Sequence, residues 1–330
     1  MTGVVALGWG SELPATTVSN EDLAGPLASE AAAIEAATGV RVRHRAPSGA
    51  GPSDLATTAA GRALAAAGLG AEDVDLIVFA TMSPDIAFPG SGCFLQDKLG
   101  CRTVGALDIR SQCSGFLSAL ATADAFVRAD RSSRVLVCCA EVHSSALDYT
   151  PRAATVTPRF GDGAGVVLLG PGEPSALRSC VLHNDPGGFE RFWCEYPASR
   201  QFPARMSRAA FEAGGHYYVL DAAALADQAR RSLAEVTGEA LAAAGVNADA
   251  VALFLMHYVD PRVAREAAAA AGLPAERTLA TAEAAGHISS AGLPIAITEA
   301  LASGRLRSGD LVCCAAFGAG IAWGGAVVRV

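Results

Sequence analysis

This chain repeats itself once, and the repeat limits what it can fold into. Gly61-Arg-Ala-Leu-Ala-Ala-Ala-Gly68 returns as Gly238-Glu-Ala-Leu-Ala-Ala-Ala-Gly245. Asp75-Leu-Ile-Val-Phe-Ala-Thr-Met-Ser-Pro84 returns as Ala252-Leu-Phe-Leu-Met-His-Tyr-Val-Asp-Pro261, and Val137-Cys-Cys-Ala140 returns as Val312-Cys-Cys-Ala315. Alanine-rich helices match by chance, so the first pair alone says little. Three pairs in one order, at nearly one spacing, point to two homologous halves rather than a short-period solenoid. We divide the chain into residues 1–170 and 171–330.

Within the first half, apolar runs at 75–81, 104–109 and 134–141 read as buried strands, and 1–9 and 160–169 as further strands. Between them, 20–37, 54–67 and 114–129 read as helices, with Ser53 or Asp54 capping the second. Strands alternating with helices make this an α/β fold. With 51% apolar and 18% charged residues in 330, a large core is available. The net charge of −8 and the lack of a basic stripe argue against nucleic acid. No apolar run is long enough for a bilayer, and no basic-then-apolar leader opens the chain. Nine cysteines without a C-x-x-C pair suggest a reduced, cytoplasmic protein.

One cysteine stands at a strand-to-helix junction: Asp108-Ile-Arg-Ser-Gln-Cys113-Ser-Gly-Phe116. Unpaired N–H groups and the helix dipole favour an anion there, so the thiol pKa of Cys113 is expected to fall. Such a thiolate attacks carbonyls, and nearby N–H groups can hold the oxyanion. A free cysteine is also a small buried hydrophobe, and the motif alone leaves both readings open.

The duplication supplies partners. Cys113-Ser-Gly-Phe falls opposite Ser290-Ala-Gly-Leu293, just after His287. Of six histidines, His257 ends an apolar strand and His287 follows a glycine. Both can be a base near neutral pH, or structural imidazoles. Asp260 could orient an imidazole, or simply form an Asp-Pro turn. Strand ends of the two halves can meet in one crevice, bringing Cys113, His257 and His287 together. The Gly-rich turn after Ala316 could aim the Ala319 N–H at a thioester oxygen, completing an oxyanion hole with that of Cys113. The Gly161–Gly165 turn lacks a following helix or Lys and is no phosphate loop. Metal-ligand spacing is absent, so no metal site is expected.

These residues resemble the ketoacyl-acyl-carrier-protein synthase III family of the thiolase superfamily. Thr38-Gly-Val-Arg-Val-Arg-His44 is similar to its early basic motif, the Cys113 stretch to its nucleophile motif. Phe160-Gly-Asp-Gly-Ala-Gly165 and Phe317-Gly-Ala-Gly-Ile-Ala-Trp-Gly324 are similar to its two glycine signatures. The resemblance implies a layered αβαβα thiolase-like fold, an acyl-enzyme on Cys113 and a homodimer in which Phe88 enters the partner's acyl pocket. It implies no cofactor beyond an acyl thioester.

Three departures stand out. The family's His-x-x-Asn is His257-Tyr-Val-Asp260 here, and its catalytic Asn is His287. An amide is a neutral donor, whereas imidazole is also a base. The Trp and Arg that clamp coenzyme A fall on Ala33 and Ala37, which favours an acyl carrier protein as donor. The expectation is an acyltransferase serving a hydroxyl, amine or thiol acceptor, in specialised-metabolite (polyketide-type) biosynthesis. The alternatives are a decarboxylating synthase using Cys-His-His, as in elongating ketosynthases, and a non-catalytic ketosynthase partner. The region 189–218, with Trp193, Phe202 and Met206, is expected to shape the acyl pocket.

Overall fold

The continuously apolar run Leu76–Ala80 needs cover on both faces, and all five of its residues are buried. It is β2 of a five-stranded sheet. The others are β1 (Val4–Glu12), β3 (Gly105–Ile109), β4 (Val135–Glu141) and β5 (Gly163–Pro171). Their order is β1-β5-β4-β2-β3. β2 is parallel to β3 and β4, while β5 is antiparallel to β4 and β1. The computed structural model describes residues 3–131 and 133–330.

A second sheet contains β6 (Leu177–Asn184), β7 (Leu253–His257), β8 (Thr278–Ala280), β9 (Leu311–Gly318) and β10 (Ala322–Arg329). Its order is β6-β10-β9-β7-β8, with the same pattern of parallel and antiparallel neighbours. Strand for strand it restates the first sheet.

Five layers result. Helix α1 (Pro52–Ala67) covers the outer face of the first sheet, packing on Ile77, Phe79 and Leu136. Helix α2 (Gly115–Arg128) lies between the sheets. Helices α3 (Ala222–Ala244) and α4 (Pro261–Ala270) cover the outer face of the second sheet. Helix α5 (Gly292–Ala302) joins α2 in the middle, where Phe116, Leu120, Leu293 and Ile297 share one core with Val78 and Leu255. Each such side chain contributes about 1.5–3 kcal/mol by leaving water.

Local expectations needed three corrections. Residues 20–37 form two helices, Asn20–Ala24 and Ala31–Thr38, separated at Pro26, which has no N–H to donate. α1 begins earlier than expected, with Pro52 in its first turn and Asp54 accepting the Gly51 N–H at 2.9 Å. β3 is not a buried strand: it lies at the sheet edge, and Leu107 is 40% exposed. No helix among the described residues is long and apolar enough to cross a membrane.

Candidate active site

The central helices start alike. A single 3-10 turn, Gln112–Ser114, leads into α2, and its mate, Ser289–Ala291, leads into α5. Gln112 (φ 42°) and Ser289 (φ 37°) both adopt the left-handed conformation. For a residue with a Cβ this costs about 1–3 kcal/mol and persists only where the surroundings enforce it. The two starts touch: a Cβ on Gly115 would lie 2.9 Å from that of Ser290. This contact brings the halves together around Cys113.

His257 is the last residue of β7 and is fully buried, with Nδ1 held 2.5 Å from Thr281 Oγ1. His287 is fixed through its backbone. Its N–H donates to the Arg159 carbonyl at 2.7 Å, and its own carbonyl accepts from Gly161 N–H at 3.1 Å. The glycine signature expected after residue 160 therefore positions an imidazole. His287 Nε2 lies 3.1 Å from Cys113 Sγ, and the two imidazole rings stack at 4.4 Å and 20°. Glycines make room for these groups. A Cβ on Gly318 would lie 2.4 Å from Cys113 Sγ, and one on Gly292 would lie 2.4 Å from His257 Cε1.

Cys113 is 1% exposed, and burial pushes its thiol up to about 12, not down. The Ser289 hydroxyl and the backbone N–H groups of Ala319 and Cys113 itself favour the thiolate, while the negative Glu141 opposes it. Desolvation outweighs the helix start. Burial likewise drives His257 down to about 3, with the Ser289 backbone opposing, and His287 well below the usual histidine range. Sulfur and imidazole therefore meet as a neutral pair, a thiol beside a base.

Asp260 does not orient an imidazole. It caps α4 through the Arg262 N–H at 3.0 Å, and its carboxylate pairs with Arg262 at 2.7 Å and buried Arg159 at 3.2 Å. Those arginines also donate to the Ala37 carbonyl at the end of helix Ala31–Thr38. An aspartate before a proline has its carboxylate next to the first free N–H groups of a helix, and that local use prevails here. The nearest hydrogen-bond partner of His257 is Thr281, which the sequence reading missed.

It also missed Glu141. This buried carboxylate ends β4 and accepts from Ser83 Oγ (2.6 Å), Thr81 Oγ1 (3.1 Å) and Ser290 Oγ (2.7 Å). It ties the first sheet to the turn that mirrors the Cys113 turn. The available signal was a lone Glu closing an otherwise apolar strand. His143, also buried, sets Nδ1 3.1 Å from the Tyr218 hydroxyl.

A cavity of about 340 Å³ lies beside the turn that carries Cys113, lined by Met82, Arg110, Gln112, Trp193, Tyr218 and Ala319 among others. Of the middle-region residues, Trp193 lines this cavity, whereas Phe202 is 94% exposed. Phe88 is 81% exposed on the single chain. No metal site was expected from spacing along the chain, and the fold brings three possible ligands together. Residues scattered in sequence, Cys113, His257 and His287, place one ligand atom each within 4.8 Å of one another.

Two homologous α/β halves stacked as αβαβα, with a cysteine at the first central helix, define a thiolase-fold enzyme. Family models described as 3-oxoacyl-[acyl-carrier-protein (ACP)] synthase III match residues 107–186, and its C-terminal part residues 241–330. A beta-ketoacyl-[acyl-carrier-protein] synthase III of Xanthomonas oryzae pv. oryzae is 37% identical over 98% of this chain and 97% of its own. The crystal structure of 3-oxoacyl-(acyl carrier protein) synthase III from Pseudomonas aeruginosa superposes with a TM-score of 0.88 at 32% identity, covering 99% of this chain and 98% of that one. The priming beta-ketosynthase of the R1128 polyketide pathway gives 0.91 at 26% identity, covering 100% and 96%. The chain belongs to the ketoacyl-acyl-carrier-protein synthase III family.

Proposed function

We propose that this enzyme is an acyltransferase that takes an acyl group from an acyl-carrier-protein thioester onto Cys113 and passes it to a hydroxyl, amine or thiol. The observation that carries this reading is the 3.1 Å approach of His287 Nε2 to the sulfur. As sulfur attacks the thioester carbonyl, its proton moves to His287 Nε2. The N–H groups of Cys113 and Ala319 hold the oxyanion. Collapse expels the carrier thiol, which leaves with the proton from His287. The imidazole, again neutral, then takes the acceptor's proton as the acceptor attacks the acyl-enzyme. Collapse of that intermediate transfers the acyl group and returns the proton to the Cys113 sulfur. An amide at position 287 could not serve as this base.

A second reading, decarboxylative condensation with a malonyl thioester, is favoured by one feature: the stacked His257 and His287 rings could both donate to one thioester oxygen. Incubation with an acyl carrier-protein thioester and malonyl carrier protein separates the two. Acyl transfer without carbon dioxide supports the transferase. Carbon dioxide and a β-ketoacyl product at a useful rate would overturn it. A non-catalytic partner role is disfavoured because the nucleophile is present.

The donor in this reading is a carrier protein, because alanines stand where coenzyme A would be clamped. A homodimer is proposed on the open edge of β3 together with exposed Ile86, Phe88 and Leu107, with Phe88 entering the partner's acyl pocket. The likeness to a polyketide priming synthase supports a place in specialised-metabolite assembly, and the free cysteines fit the cytoplasm.

A further inference from the structure

We propose that Cys113, His257 and His287 form a Zn²⁺ site, and that bound Zn²⁺ and an acyl group exclude each other. The donor set is one sulfur and two imidazole nitrogens, which suits Zn²⁺ and not the oxygen-seeking Ca²⁺ or Mg²⁺. Zn–S bonds of about 2.3 Å and Zn–N bonds of about 2.0–2.1 Å at tetrahedral angles separate ligand atoms by about 3.3–3.6 Å. The Sγ–Nε2 pair, at 3.1 Å, is a few tenths of an ångström short of that range and must open slightly. All three ligand atoms lie within 4.8 Å of one another, so the widest pair closes by at most about 1.5 Å. The rings are stacked at 20°, so one must tilt before both lone pairs converge.

A second observation points to a ligand independently. His257 Nε2 is buried with no hydrogen-bond partner among the described residues, while Thr281 holds Nδ1. A buried, unpartnered polar atom costs about 1–3 kcal/mol, which a bound cation would relieve. The threonine hydroxyl can accept from Nδ1–H, leaving the Nε2 lone pair free for a metal. Three protein ligands leave a fourth position for water.

Binding is a proton exchange. The thiol S–H bond breaks, an S–Zn bond forms, and the proton leaves to solvent, while each imidazole donates a lone pair with no change of oxidation state. The metal site stands on geometry alone. The mutual exclusion rests also on Cys113 being the acyl acceptor proposed above.

The test is equilibrium dialysis of the untagged chain with Zn²⁺, repeated with Co²⁺ as spectroscopic probe. We expect one Zn²⁺ per chain and a thiolate-to-Co²⁺ charge-transfer band in the near ultraviolet. Cys113→Ser should abolish the band. His257→Asn and His287→Asn should each weaken binding at least about 10–100-fold, the loss typical of even an outer partner. Zn²⁺ should also slow iodoacetamide alkylation of Cys113 in the unmutated protein, a readout that depends on neither variant folding nor acyl transfer. Absence of binding at micromolar Zn²⁺, or binding that survives all three substitutions, would overturn the site. Binding without loss of acyl loading would overturn only the exclusion.

Discussion

The turns that open the two central helices differ by a few atoms and do different work. Both open a 3-10 turn with a left-handed residue, and both bury the next side chain. In the first half that side chain is the thiol of Cys113, facing His287. In the second it is the hydroxyl of Ser290, bonded to Glu141 at 2.7 Å and to the Ala80 carbonyl at 3.0 Å. The neighbourhoods diverge in the same way. The second half ends its central strand in His257 where the first has Ala80, and it offers His287 where the first has Arg110. One half therefore supplies the sulfur and the other the two imidazoles, on one duplicated backbone. The duplication builds the frame, and burial decides the chemistry.

That division can be broken experimentally. His287→Ala should slow acyl loading of Cys113 by about 10²–10⁴-fold, whereas Arg110→Ala at the mirrored position should change it far less. Stopped-flow loading with an acyl carrier-protein thioester measures both, and equal effects would erase the asymmetry. Asp260→Ala should lower stability by about 3–5 kcal/mol, because it leaves buried Arg159 without its carboxylate. It should leave the pH profile of loading unchanged, since Asp260 contacts neither imidazole. Denaturant melts and pH–rate profiles check this, and a displaced profile would restore the orienting role.

Gly318→Ala sharpens the contrast at smaller cost. Its Cβ meets the Cys113 sulfur at 2.4 Å, so about 1–3 kcal/mol of overpacking should accompany reduced loading. The pH dependence of stability is smaller per step. His257 and His287 stay neutral when folded, but protonate below about pH 6.5 when unfolded. The unfolded state then binds more protons, so stability falls as pH drops from about 6.5, and for His257 the loss continues towards about 3. Each histidine should contribute about 1.4 kcal/mol per pH unit within its window. Replacing His257 with Asn should flatten the slope, and an unchanged slope would mean that this imidazole is charged in the fold.

Much of this was legible in the sequence. The echoes of 75–84 in 252–261 gave the paired sheets, and the strand-helix junction gave Cys113. His257 and His287 followed from their places opposite the first half. What failed was non-local. The helix start argued for a lowered thiol pKa, but desolvation comes from both sheets and no local pattern reports it. Asp260 read as either an orienting group or an Asp-Pro turn, and its ion pair with Arg159, 101 residues away, was invisible locally. Thr281 and Glu141 act through bonds that only folding creates. The run 104–109 is apolar enough for a core strand, yet it occupies an edge, because sheet order is not written in hydropathy.

The most direct measurement is the intact mass of the protein after brief exposure to an acyl carrier-protein thioester, for the parent chain, Cys113→Ala and Ser290→Ala. The account predicts a single acyl adduct on the parent chain and on Ser290→Ala, and none on Cys113→Ala. An adduct that survives Cys113→Ala, or no adduct on the parent chain, would contradict it.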